Sequence, residues 1–129
     1  MVDMAASFLV ELLGFVPEDS VFSYDGVEDE ALIQDLQEAG YSAEEIHAWE
    51  LPIGDKLRLM HLIQHKRLHW RISHCFIIHG QENLLTAYDH MMHTWVPQKL
   101  NFSQSFIKRY SLVAKGEDWV VGEFPELDD

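Results

Sequence analysis

QENLLTAYDHMMHTWV, from Gln81 to Val96, is the stretch on which the fold turns. At 100° per residue Leu84, Leu85, Tyr88, Met91, Met92, Trp95 and Val96 gather on one side, with Glu82, Asp89, His90, His93 and Thr94 opposite. The spacing predicts an amphipathic helix that Pro97 ends. Just before it, Trp70 to His79 is rich in aromatic and β-branched residues and stops at Gly80, which predicts a strand. Ile72, Phe76 and His79 would also suit a helix continuing from the one before. Beyond it, Phe106 to Ala114 and Trp119 to Phe124 read as two strands joined through Lys115-Gly116-Glu117-Asp118. The tail, Pro125 to Asp129, is acidic and expected to fray.

Toward the N-terminus the pattern is helical. Asp3 to Leu13 carries Phe8, Leu9, Val10, Leu12 and Leu13 over more than one face, so it is either deeply buried or part of an oligomer. A connection from Phe15 to Gly26 holds a short strand at Val21 to Tyr24. Glu28 to Ala39 is amphipathic, with Leu32, Ile33, Leu36 and Ala39 on one side and Gly40 as its stop. Ser42 caps a third helix, Glu45 completes a capping box, and Pro52 and Gly54 end it. Asp55 is placed to cap a fourth helix reaching about His69. The expected fold is α+β: four to five helices on a small antiparallel sheet of about three strands, with a C-terminal β-hairpin, residues 1–129 forming one domain.

Composition bounds the function. At 47% hydrophobic and 12% aromatic residues the chain is a folded one, since disorder requires low hydrophobicity. Its net charge of −13, from 22 acids against 9 bases, disfavours broad affinity for nucleic acid or anionic membrane. That charge is partitioned. Residues 1–55 hold fourteen acids and no lysine or arginine; residues 56–115 hold all nine bases, seven of the eight histidines, and only Glu82 and Asp89; residues 116–129 are acidic again. Either the acidic N-terminal part folds against the basic, His-rich middle and neutralises it, or two faces of opposite sign serve different partners. Asp3 and Glu11 interrupt what could pass for a signal peptide, and the single cysteine, Cys75, suits a reducing compartment, so a cytoplasmic location is expected.

Nothing in the sequence calls for catalysis or a cofactor. There is no GxSxG elbow, phosphate loop or GxGxxG turn, and Cys75 lies among apolar neighbours, as a structural thiol does. His61, His65 and His69 repeat every four residues as a solvated stripe, and His90 and His93 share the polar side of their own helix. If those helices faced each other, His61, His65, His90 and His93 could hold a transition metal. No cysteine or glutamate stands at ligand spacing beside them.

One segment resembles a known motif. Gly40-Tyr41-Ser42-Ala43-Glu44-Glu45-Ile46, followed by Leu51-Pro52-Ile53-Gly54-Asp55-Lys56-Leu57, is similar to the helix-turn-helix of sigma-factor region 4 and related response-regulator domains. The resemblance implies a recognition helix from Asp55 presenting Lys56, Arg58, His61 and His65 to a DNA groove, with Lys108, Arg109 and Lys115 on a C-terminal wing. The segment departs from that pattern in being one residue shorter and in placing Trp49-Glu50 at the turn.

The charge layout favours a different expectation: a small acidic regulator, inhibitor or adaptor that binds a basic partner surface, including one that holds nucleic acid. Glu28, Asp29, Glu30, Asp35, Glu38, Glu44, Glu45 and Glu50, with Trp49 among them, are the expected contact residues. The apolar first helix offers a route to self-association.

Overall fold

The computed structural model describes residues 3–121 together with Phe124. Gly122, Glu123 and the tail from Pro125 to Asp129, where the last strand was expected to reach and the chain to fray, lie outside the described residues. In chain order the elements are α1 (Met4–Leu13), β1 (Val21–Val27), α2 (Ala31–Glu38), α3 (Ala43–Ala48), β2 (Glu50–Pro52), α4 (Leu57–Lys66), β3 (Ile72–His79), β4 (Glu82–Tyr88), β5 (His93–Pro97), α5 (Gln104–Arg109), β6 (Val113–Lys115) and β7 (Asp118–Val120).

The strands form one antiparallel sheet in the order β2-β1-β3-β4-β5-β7-β6. The class is α+β as expected, but the sheet has seven strands where the sequence suggested about three. The difference lies mainly in Gln81 to Val96, which is a hairpin and not a helix. Gly80, at φ 64°, opens a two-residue turn that folds β4 back on β3, pairing His79 with Glu82. Asp89, His90 and Met91 then stand at φ 53°, 56° and 71°, three consecutive left-handed residues through which no right-handed helix can run. Backbone bonds hold this reversal: His90 N–H donates to the Ser73 carbonyl at 2.9 Å and Met92 N–H to that of Asp89 at 3.1 Å. Met91 plugs the core from the turn, being 1% exposed. A register shift at Ile77/Ile78 buries both Leu84 and Leu85. Turn and bulge together break the two-residue period and leave apolar residues at helical spacing.

A second exchange occurs near the C-terminus. Phe106 to Ala114 was expected to be a strand, but Ser103 accepts from the Phe106 N–H at 3.2 Å and starts α5, leaving only Val113–Lys115 extended. Phe106 packs there with Phe8, Phe102 and Tyr110 at ring separations of 5.6, 4.5 and 5.0 Å. The expected hairpin to β7 is present, turning at Gly116.

The core fills one face of the sheet. Phe22, Tyr24, Leu51, Cys75, Ile77, Leu85, Ala87 and Val96 point into it, and Phe8, Leu9, Leu12, Leu13, Leu32, Leu36, Leu59 and Leu62 from the helices complete it. The apolar wrap of α1 is thereby covered within the chain. Alternate strand residues form the other face: Ser23, Phe76, Thr86, Trp95 and Val120 stand in register across it, and none is buried.

Gly26 fixes how β1 ends. It sits at φ 73°, and a Cβ there would lie 2.5 Å from Ser73 Oγ and 2.7 Å from Ser73 Cβ. Gly26→Ala should therefore destabilise the protein by about 2 kcal/mol, through left-handed strain and the clash together. Urea denaturation checks this; adding Ser73→Gly should recover part of the loss, and an unchanged midpoint for the single variant would refute the assignment.

Candidate partner-binding groove

The acidic half of the chain reaches the basic half through specific pairs. Arg71, at the start of β3, donates from Nε to Asp29 at 2.8 Å and from Nη1 to Asp35 at 2.6 Å and to the Lys66 carbonyl at 3.1 Å. The hydrogen bond from Arg71 holds the Asp35 carboxyl below its ordinary pKa. Glu28 accepts from Ser73 Oγ at 2.7 Å and pairs with His90, and the Ser73 bond leads in lowering its pKa. Glu11 pairs with Arg109 and Tyr110, and Asp19 with His79 at 3.0 Å. Arg71 and Arg109 are the fixed cations among these pairs, so the acidic part is neutralised at Asp29, Asp35 and Glu11.

Two of the expected contact residues remain together beside an apolar hollow. Asp25, Gly26 and Val27 of β1, Glu30 just before α2 with Ile33 and Gln37 on it, and Ala43, Ile46, His47 and Trp49 around α3 line a groove of about 490 Å³. Buried Ile46, with half-buried Val27 and Ile33, gives it an apolar floor, and Asp25 and Glu30 give it negative walls. The capping box builds the far side: Glu45 N–H donates to Ser42 Oγ at 3.1 Å and Ser42 N–H to Glu45 Oε1 at 2.8 Å. Tyr24 Oη donates to the Ile46 carbonyl at 3.2 Å, tying α3 to β1.

Trp49 ends α3 in the left-handed conformation, φ 58° and ψ 36°. Its backbone is pinned, donating to the Ile46 carbonyl and accepting from Tyr24 N–H, both at 3.1 Å, while the residue stays 46% exposed. A bulky residue in that conformation costs roughly 1–2 kcal/mol that glycine would not. Backbone strain and an exposed indole thus coincide at Trp49.

The other expected contact residues are placed differently. Glu28, Asp29, Asp35 and Glu45 are engaged as described. Glu38 accepts from Gln34 at 3.2 Å, and Glu38, Glu44 and Glu50 are exposed outside the groove lining. Asp25, which falls in the connection expected from Phe15 to Gly26, belongs to the groove. The open sheet face was not expected from the sequence; on it Tyr88 meets His74, Phe76 and Trp95 at ring separations of 5.2, 5.7 and 5.7 Å. Once the stretch is a hairpin, Tyr88 and Trp95 alternate outward, a period-2 signal present in Thr86-Ala87-Tyr88 and His93-Thr94-Trp95.

The segment resembling a helix-turn-helix is a helix–strand–helix, because β2 lies between α3 and α4 and pairs with β1. Lys56 donates to the Val16 carbonyl at 2.6 Å, Arg58 lies 3.8 Å over the Tyr41 ring, and Arg109 pairs with Glu11. Lys108 belongs to α5, and Lys115 lies on β6 opposite Asp118. His61 and His65 adjoin on α4, their rings 4.9 Å apart, whereas His90 faces Glu28 and His93 lies 3.7 Å from Asp89. Among the described residues no three or more histidine, cysteine, aspartate or glutamate side chains converge as metal ligands. Cys75 is buried, and desolvation pushes its thiol up to about 12. Among the described residues no helix is long and apolar enough to cross a membrane.

His69 does not join the solvated stripe. α4 ends at Lys66, Arg67 turns left-handed at φ 53°, and His69 swings inward to 1% exposure. Its Nε2 lies 2.9 Å from Asp3 Oδ2, which also accepts from the Trp70 indole at 2.8 Å; Asp3 Oδ1 caps α1 through the Ala6 N–H at 2.9 Å.

The chain matches no family model, and neither a curated protein nor a solved structure is significantly similar to it.

Burial alone would raise the Asp3 pKa, but hydrogen bonds from His69, Ala6 and Trp70, with the charge of His69, bring it well below the ordinary 3.8. A carboxyl with a depressed folded pKa stabilises the fold above its unfolded pKa and loses that contribution as the pH falls. The stability gap between wild type and Asp3→Asn should thus shrink as the pH drops below 3.8. Urea titrations at several pH values from about 5 to about 2 measure it; a gap constant over that range would contradict the assignment.

Proposed function

We propose that this protein is a non-enzymatic interaction module, a small acidic regulator or inhibitor that captures a basic segment of a partner protein in the Trp49 groove. One observation carries the reading. A single groove joins an apolar floor, the carboxylates of Asp25 and Glu30, and an indole held exposed at the cost of backbone strain, with no lysine or arginine in its lining. A guanidinium or ammonium stacks favourably on an indole face and pairs with a carboxylate, while the stem of the same side chain covers apolar surface. A partner whose basic surface ordinarily meets nucleic-acid phosphates offers such side chains in number. Of the bases that a nucleic-acid reading would use, Lys56, Arg58 and Arg109 are engaged in contacts within the chain, while His61, His65, Lys108 and Lys115 stay exposed. A lone buried thiol accords with a reducing compartment, and the reading places the protein in the cytoplasm.

The test uses a synthetic peptide of alternating arginine and valine, titrated calorimetrically at physiological salt. Wild type should bind it and ignore a glutamate–valine counterpart. Trp49→Ala should weaken binding by about 2 kcal/mol, roughly thirtyfold, with the urea midpoint little changed. Equal binding by Trp49→Ala would show that capture happens elsewhere.

A further inference from the structure

β2 covers only half of β1. It pairs with Val21, Phe22 and Ser23 through Pro52, Leu51 and Glu50, and the last bond between the two chain segments runs from Tyr24 N–H to the Trp49 carbonyl at 3.1 Å. β1 continues beyond that point, held on its other side by β3 through Asp25↔His74 and Val27↔Ile72. From Asp25 to Val27 it is therefore an edge strand, and all three residues line the Trp49 groove. The left-handed turn at Trp49 carries the chain off the track of β2 into α3, so the groove continues the line that β2 leaves.

The backbone is oriented to use that edge. Tyr24 directs its N–H toward Trp49, and in a strand the carbonyl of the same residue points to the same side. Glu28 N–H donates to the Arg71 carbonyl at 3.0 Å, on the β3 side. Across the trans, planar peptide the Val27 carbonyl must point the opposite way, toward the groove. Gly26, at φ 73°, makes this change of direction possible.

We infer, resting on the function proposed above, that the partner segment binds in extended form, adding as a strand to the Asp25–Val27 edge of β1. Strand addition supplies affinity through main-chain bonds and specificity through alternate side chains. Apolar residues of the segment would face the floor of Val27, Ile33 and Ile46, and alternate basic ones would reach Asp25, Glu30 and the Trp49 ring. The occupant is thus an extended segment alternating basic and apolar residues, and not an amphipathic helix.

The same arginine–valine peptide distinguishes the two levels of the argument. It is prepared with N-methyl groups on either its odd or its even backbone nitrogens, which removes donors from one side of a strand at a time. One parity should lose at least tenfold in affinity while the other binds as the parent does. Amide exchange at Gly26 and Val27 should slow on binding, as read by NMR. If both methylated forms bind alike, whether weakly or as well as the parent, or if exchange at Gly26 and Val27 is unaltered, strand addition is wrong. The groove reading survives that result provided Trp49→Ala still weakens binding. Should the parent peptide fail to bind, or bind Trp49→Ala equally, both readings fall.

Discussion

Arg71 is the fastening on which the arrangement of the N-terminal half depends. It sits where β3 begins, half-buried, and its guanidinium spans Asp29 before α2 and Asp35 within it while also reaching the Lys66 carbonyl at the end of α4. A planar fork with several donors can satisfy three acceptors in fixed directions, which a lysine could not do. Through it the acidic helix α2 is set beside the β1–β3 ladder, and the first wall of the groove follows from that placement. Glu28 with His90, Asp3 with His69, Asp19 with His79 and Glu11 with Arg109 repeat the theme at other points along the seam.

This seam explains why the strong charge partition does not leave two opposite faces. Arg71 and Arg109 pair with acids of the N-terminal part, while Lys66, Lys108 and Lys115 stay exposed, and acid remains in excess over the whole chain. The excess would be an unfocused solubility feature were it spread evenly. At the groove it is concentrated beside apolar surface, where Asp25 and Glu30 flank Ile33, Ile46 and the Trp49 ring.

The starts of α1 and α3 and the left-handed glycine turns read plainly from the sequence, whereas Asp55, expected to cap α4, yields that place to Lys56. Ser42 and Glu45 announced α3, Asp3 began α1, and the β3 stretch was legible from its aromatic and β-branched residues. The β4–β5 hairpin was not, because its reversal uses Asp89, His90 and Met91 in place of glycine or asparagine, and its core-facing residues fall at helical spacing. His69 was misplaced for a related reason: the end of α4 is set by the left-handed Arg67, which no side-chain pattern marks. In the groove, Glu30 and exposed Trp49 were named from the sequence, whereas Asp25 and the open edge of β1 depend on where β2 stops pairing, a property of topology alone.

The central claim is that capture depends on the carboxylates at the groove and not on net charge. It is tested most directly by two variants of equal charge: Asp25→Asn with Glu30→Gln inside the groove, and Glu38→Gln with Glu44→Gln outside it. Affinity for the arginine–valine peptide is measured for both at physiological salt. The account expects the first pair to weaken binding at least tenfold and the second to change it by less than about twofold, as rim charges remote from a site do. Equal loss in the two variants would contradict it and reduce the acidity of the chain to a general electrostatic attraction.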